Sequence, residues 1–175
     1  TYEELESVLQ TARGLVICDE AYREFSNIDL TPLLATYPNL GLTRTFSKAC
    51  SFSFGRLGYC LADSDIIRQL RKVIPPYNLN GFVQKAALII LENREWIEKK
   101  AALIVSERKK ITSALSELEG LRVYPSQANF ILIKELYENC SLYQELKKRS
   151  ILIRDFSTKP GLEGCVRISV GTPEE

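Results

Sequence analysis

Apolar residues at Tyr2, Leu5 and Leu9 fall on one helical face and predict a helix over residues 1–12. Leu15 to Cys18 then form an unbroken apolar run that ends at Asp19, the pattern of a strand buried in a parallel sheet. Residues 40–46 and 57–62 read as two further strands, with Ser47 to Gly55 as the loop between them. Asp63 or Ser64 caps a helix over 65–73, and Pro75-Pro76 stops it. From Gly81 to Leu118 helix formers dominate, with a possible interruption only near Asn93. Past Gly120 the elements shorten: strands at 121–124 and 130–133, a helix over 138–149, and strands at 151–154 and 166–170.

This pattern predicts an α/β region up to about residue 75 and a small α+β region at the other end, joined by a long helix. Gly171-Thr172-Pro173-Glu174-Glu175 reads as an N-cap, a proline at N1 and acids in a first turn, so a helix is expected to begin there. Thr1 already lies within a helical pattern. A piece of a longer polypeptide, cut at both ends, is the expectation.

Composition narrows the chemistry more than it narrows the fold. The 175 residues carry a net charge of +1, from 23 Lys+Arg against 22 Asp+Glu, so no basic excess calls for nucleic acid or a membrane surface. The longest apolar runs are far too short to span a bilayer. Five cysteines without a CxxC pair suggest neither a disulfide framework nor a zinc site, and read as small buried hydrophobes of a cytoplasmic protein. Histidine is absent altogether. That excludes Ser-His-Asp and Cys-His nucleophile systems and histidine-ligated metals within the chain. Protons must be moved by another group, and a lysine is the obvious candidate.

One lysine has suitable company. Lys48 lies in Thr-Phe-Ser-Lys-Ala (45–49), after Asp19-Glu20-Ala21-Tyr22 and before Arg56. An amine, a carboxylate, a phenol and a guanidinium are the groups that hold pyridoxal 5'-phosphate. Its aldehyde needs a lysine, its ring nitrogen a carboxylate, its O3' a hydroxyl and its phosphate hydroxyls with an arginine fork. Each element alone has an ordinary reading as a turn former, a surface lysine or a surface ion pair. Their joint order carries the weight.

Longer stretches point the same way. Residues 16–25 (Val-Ile-Cys-Asp-Glu-Ala-Tyr-Arg-Glu-Phe), 37–40 (Tyr-Pro-Asn-Leu), 44–49 (Arg-Thr-Phe-Ser-Lys-Ala) and 56–59 (Arg-Leu-Gly-Tyr) resemble fold-type-I aminotransferases, specifically the histidinol-phosphate aminotransferase family. So do 76–80 (Pro-Tyr-Asn-Leu-Asn), 128–132 (Ala-Asn-Phe-Ile-Leu) and 166–172 (Val-Arg-Ile-Ser-Val-Gly-Thr), in the family's order. The resemblance implies the end of a large domain with a mostly parallel sheet (1–75), a connecting helical region (76–118) and a small α+β C-terminal domain (119–175). It implies that Lys48 forms the internal aldimine with pyridoxal 5'-phosphate and shuttles a proton between the substrate Cα and C4'. Asp19 would pair with the pyridine nitrogen, Tyr22 would donate to O3', and Thr45, Ser47 and Arg56 would hold the phosphate. Arg167 and Arg154 would contact substrate.

Both arginines fall in short apolar strand candidates, where a guanidinium without an anion is costly; a structural ion pair with Asp155 or Glu174 is the plainer alternative. Tyr77, Asn78 and Asn129 are weaker candidates, since turn formation explains the asparagines. One segment departs from the family: Phe52-Ser53-Phe54-Gly55 stands where Leu-Ala-Gly-Leu is usual. The resemblance further implies an upstream half with more of the cofactor site, a homodimer that shares active-site residues, and no competence of this chain alone. The expected activity is transamination between histidinol phosphate and 2-oxoglutarate in histidine biosynthesis. Threonine-phosphate decarboxylation, a broader aromatic or aliphatic transamination, and a non-catalytic regulatory paralogue are the alternatives.

Overall fold

The computed structural model describes residues 2–137 and 141–174. The chain divides into two compact units between Glu98 and Lys99.

The first unit is built on a three-stranded sheet. β1 (Val16–Asp19) pairs in parallel with β2 (Leu40–Thr45), which pairs antiparallel with β3 (Gly58–Ala62). Strand alternation gives this sheet two unlike faces. Val16, Cys18, Leu40, Leu42 and Leu61 join a core with Leu9, Leu30 and Leu33, and α1 (Tyr2–Thr11) brings Tyr2, Leu5 and Leu9 to it. Leu40 and Leu42 are fully buried. The opposite face carries Ile17, Asp19, Gly41, Thr43 and Thr45, and Ile17 is 54% exposed. One face thus makes the core, and the other presents small and polar groups.

Helix ends obey local rules. α2 (Ser64–Val73) begins where the Asp63 carboxylate accepts from the Asp65 N–H at 2.8 Å, and ends at Ile74, held extended before Pro75. α3 (Gly81–Glu92) is capped by Asn80, whose Oδ1 accepts from the Val83 N–H at 2.9 Å. Asn93 closes it, and α4 (Arg94–Ser116) follows at once, so the break falls where the sequence allowed one.

The second unit has a four-stranded antiparallel sheet in the order β4-β5-β7-β6, formed by β4 (Leu121–Val123), β5 (Phe130–Glu135), β6 (Arg154–Asp155) and β7 (Cys165–Ser169). Ile131, Ile133, Val166 and Val170 form its core, with Ile104, Ile111 and Leu115 packed against them. The buried Arg108 guanidinium donates to the Ala128 carbonyl at 2.6 Å, tying α4 to the turn before β5. The expected helix over 138–149 is α5 (Leu142–Lys148), capped by Ser141; residues 138–140 lie outside the described residues. The strand expected at 151–154 shrinks to Arg154–Asp155, because only these two residues ladder with β7. The helix expected after Gly171 is a turn over the described residues, in which the Thr172 hydroxyl and the Glu174 carboxylate hydrogen-bond.

Candidate active site

Parallel pairing puts the carboxyl ends of β1 and β2 at one edge, and the antiparallel β3 begins there. That edge is where open α/β sheets receive ligands. Asp19 ends β1 opposite Thr43. Its Oδ1 accepts from the Ala21 N–H at 2.9 Å, turning the chain and leaving the exposed carboxylate otherwise uncommitted among the described residues. Tyr22 follows in that turn, and the Lys48 Nζ lies 5.3 Å from the centroid of its ring. A cation at this distance over a phenol is attracted by the ring's electron density. Lys48 and Tyr22, 26 positions apart in sequence by their numbering, thus meet in space.

The loop carrying Lys48 is braced rather than loose. Phe46 donates its N–H to the Leu57 carbonyl at 3.0 Å, Phe52 to the Phe46 carbonyl at 3.0 Å, and Ser51 to the Lys48 carbonyl at 2.9 Å. Phe46, Phe52 and Leu57 form a small core with Val83 of α3. Ala49 is buried beside the exposed Lys48, so the loop is anchored through its neighbours while the amine stays accessible. Thr45 Oγ1 accepts from the Ser47 N–H at 3.1 Å and lies 3.3 Å from the Leu57 carbonyl, so both hydroxyl residues sit in one turn. Gly58 faces Thr45 in the β2–β3 ladder; a Cβ there would stand 2.8 Å from the Arg44 carbonyl. The glycine lets β3 pass close to β2 at the site's edge.

Arg56 has a left-handed backbone (φ 48°), and its guanidinium donates to the Ser53 carbonyl at 3.1 Å within its own loop. The exposed side chain follows a backbone tied to the Thr45–Ser47 turn by way of the Leu57 carbonyl, which accepts from Thr45 Oγ1 and the Phe46 N–H. The departure at 52–55 has a physical explanation. A Cβ on Gly55 would lie 2.0 Å from the Phe52 ring, so this ring fills the space a side chain at position 55 would need. Phe54 packs edge-on against Phe52 at 4.7 Å and is 71% exposed.

In the second unit Arg154 and Arg167 face each other across β6 and β7. Like charges in direct cross-strand register are unfavourable unless an anion joins them. Among the described residues neither pairs with a carboxylate; Asp155 accepts instead from the Ser157 N–H at 2.8 Å, and Glu174 turns to Thr172. The Arg167 guanidinium lies 4.9 Å from the Phe130 ring centroid and 5.8 Å from that of Phe156. Its buried Nε has no hydrogen-bond partner among the described residues. Among the described residues, the ion pairs with Asp155 or Glu174 that would have made these arginines purely structural are not formed. Tyr77 is 98% exposed with φ 59°, and Asn129 accepts through its carbonyl from the Val170 N–H at 2.9 Å, which fits the turn and strand-end readings of this part of the chain.

Sequence reasoning missed one ionic feature. Glu20 is buried and accepts from Arg44 Nε at 2.7 Å, while the same guanidinium donates to Thr31 Oγ1 at 2.9 Å. Burial works against the Arg44 charge, but the Glu20 carboxylate and the Tyr59 hydroxyl outweigh it and raise the guanidinium pKa. Glu20 lies one residue past the expected strand and Arg44 within another, so no local pattern joins them and only the β1–β2 register brings the pair together.

Residues 1–175 match the family of class I and II aminotransferases, and the chain belongs to it. Pyridoxal 5'-phosphate is the cofactor that family implies, on a fold of type I. Among curated relatives, a histidinol-phosphate aminotransferase of Ruminiclostridium cellulolyticum is 39% identical over 174 residues, 99% of this chain and 48% of that protein. A crystal structure of the histidinol-phosphate aminotransferase from Clostridium acetobutylicum superposes with a TM-score of 0.89 at 28% identity, over 99% of this chain and 55% of that one. An L-threonine-O-3-phosphate decarboxylase from Porphyromonas gingivalis gives 0.80 at 25% identity, over 98% and 54%. The chain spans about half the length of the curated relatives it matches.

Proposed function

We propose that this chain is the C-terminal part of a pyridoxal-phosphate-dependent aminotransferase that exchanges an amino group between histidinol phosphate and 2-oxoglutarate in histidine biosynthesis, as a cytoplasmic homodimer. The observation that carries the reading is the Lys48 amine over the Tyr22 ring, at the strand edge that ends in Asp19 and Thr45.

The donor set fits the cofactor. Lys48 supplies an accessible amine, Asp19 a carboxylate with an uncommitted oxygen, Tyr22 a phenol, and Thr45, Ser47 and Arg56 the hydroxyls and guanidinium suited to a phosphate. When bound, pyridoxal phosphate supplies an electron sink for the bond broken at the substrate Cα. Asp19 keeps the ring nitrogen protonated, and Tyr22 donates to O3'. Lys48 holds the cofactor until substrate arrives. Its amine, once freed, would take the proton from the substrate Cα and give it up two bonds along at C4', general acid–base work by a positioned amine. Arg167 and Arg154 bind the anionic end of the substrate; their mutual register and the orphaned Arg167 Nε support this role.

The test is an absorbance spectrum of the full-length protein with pyridoxal phosphate, before and after L-histidinol phosphate. A band from the lysine-bound cofactor that converts to the amine form of the cofactor is expected. A band that ignores histidinol phosphate and responds to threonine phosphate or an aromatic amino acid would overturn the substrate and keep the cofactor. No band at all would remove the catalytic reading and favour a regulatory paralogue.

A further inference from the structure

We propose that the buried Glu20–Arg44 ion pair positions two of the cofactor-facing groups, Asp19 and Thr45, which makes Glu20 and Arg44 positioning residues for the reaction. The inference rests on the function proposed above.

Glu20 directly follows Asp19, and Arg44 directly precedes Thr45. Because side chains alternate along a strand, Asp19, Thr43 and Thr45 share the open face while Glu20 and Arg44 turn to the core side. The Glu20 N–H donates to the Thr43 carbonyl at 2.8 Å, extending the β1–β2 ladder one residue beyond β1. On the core side Glu20 Oε2 meets Arg44 Nε at 2.7 Å, with the two side chains only 5% and 15% exposed. Arg44 reaches further, to Thr31 Oγ1 at 2.9 Å, and its amino group stands 3.9 Å from Asp29 Oδ1. One guanidinium therefore ties two strand ends and the following turn together where a sheet edge would otherwise fray.

The pair is badly suited to be a simple stabiliser. Desolvating two charges cancels most of their attraction, and apolar replacements of similar volume are often neutral or better for stability. What such replacements cannot reproduce is the fixed distance between two backbones. On its own side Asp19 accepts, among the described residues, from the Ala21 N–H, so its placement depends on the backbone that follows it. A displacement of about 1 Å at such a group can cost on the order of a hundredfold in rate.

The experiment compares the full-length wild type with the paired apolar variant Glu20→Leu/Arg44→Met and with Glu20→Gln, which keeps the shape and an acceptor. Three quantities are measured: the melting temperature of the apo protein, the pyridoxal phosphate dissociation constant by fluorescence quenching, and kcat and KM separately. The paired variant is expected to melt near the wild type, bind the cofactor about tenfold more weakly and lose kcat by about 10- to 100-fold with little change in KM. Glu20→Gln is expected to recover most of both losses. Wild-type affinity and kcat in a folded paired variant overturn the inference. If that variant fails to fold, Glu20→Ala and Arg44→Lys, each of which breaks the Nε–Oε2 contact, carry the test; unchanged affinity and kcat in both overturn it equally. A wild type that binds no pyridoxal phosphate brings down the proposed function, and this inference with it, whereas binding wild type with indifferent variants brings down this inference alone.

Discussion

In the first unit the candidate reactive groups hang from turns at the ends of strands, whereas in the second the two arginines sit within paired strands. Lys48, Tyr22 and Ser47 lie outside β1 and β2, and the loop of Ser47 and Lys48 is braced by Phe46, Phe52 and Leu57. Arg154 and Arg167 belong to β6 and β7 and are fixed by the ladder itself. Loop groups can be moved without touching a core, so each can be removed with small structural consequence. Strand arginines are locked in register, so their cost is carried by the sheet and shows as an orphaned Nε and two facing cations. The first unit's candidate groups are thus marked by a motif, and the second unit's by two facing cations without a carboxylate among the described residues.

The sharpest way to break this contrast is Lys48→Ala in the full-length protein. Turnover should fall by about 10,000-fold or more, while the melting temperature stays close to the wild type because the side chain is exposed. Wild-type-like turnover would sink the loop half of the comparison. Asp19→Asn comes next, with cofactor retained and kcat lowered on the order of 100- to 1,000-fold, because a neutral ring is a poorer electron sink. A rate near normal would show that this carboxylate is only a turn former.

For the second unit, Arg167→Ala should raise the KM of the anionic substrate by about 10- to 100-fold with a smaller effect on kcat, the loss expected for hydrogen bonds to a charged group. Arg154→Ala should do less, since its side chain is exposed and screened. Steady-state kinetics on both variants decide the matter. A rise in stability with unchanged KM would mean that relief of the Arg154–Arg167 repulsion is the whole story.

The smallest effect concerns Glu24, beneath the first unit's turn. Its Oε2 is buried without a hydrogen-bond partner among the described residues, and burial, aided by Glu20, holds its carboxyl above the ordinary range. The folded protein thus binds this proton more tightly than the unfolded chain. Stability from this group falls as pH rises from the ordinary carboxylate value through the raised one. Glu24→Gln should therefore melt slightly higher than the wild type at neutral pH and lose that advantage in acid. Parallel melting curves across the pH range, with no growing gap, would refute it.

Much of this was legible beforehand. The helix face at Tyr2, Leu5 and Leu9, the strand ending in Asp19 and the break at Asn93 all follow from local patterns, and the structure contains each. Lys48, Asp19 and Tyr22 could be named from their order, since turn chemistry and a short motif fix them locally. The Glu20–Arg44 pair could not be seen, because its members are 24 positions apart and look like surface charges until register places them. The weak β6 was over-extended for a similar reason. Ile151 and Leu152 look strand-like, but they find no ladder partner and remain 50% and 80% exposed.

The Phe52 ring and Gly55 have a consequence for how this loop can change. A leucine introduced at 55 alone would collide with a ring that is itself 5% exposed and has nowhere to go. Shrinking Phe52 alone would open a hole beneath the turn that carries Lys48. Two positions sharing one volume behave as a single heritable unit. Any path, natural or engineered, that places a larger residue at 55 must change both together or pass through a less stable intermediate.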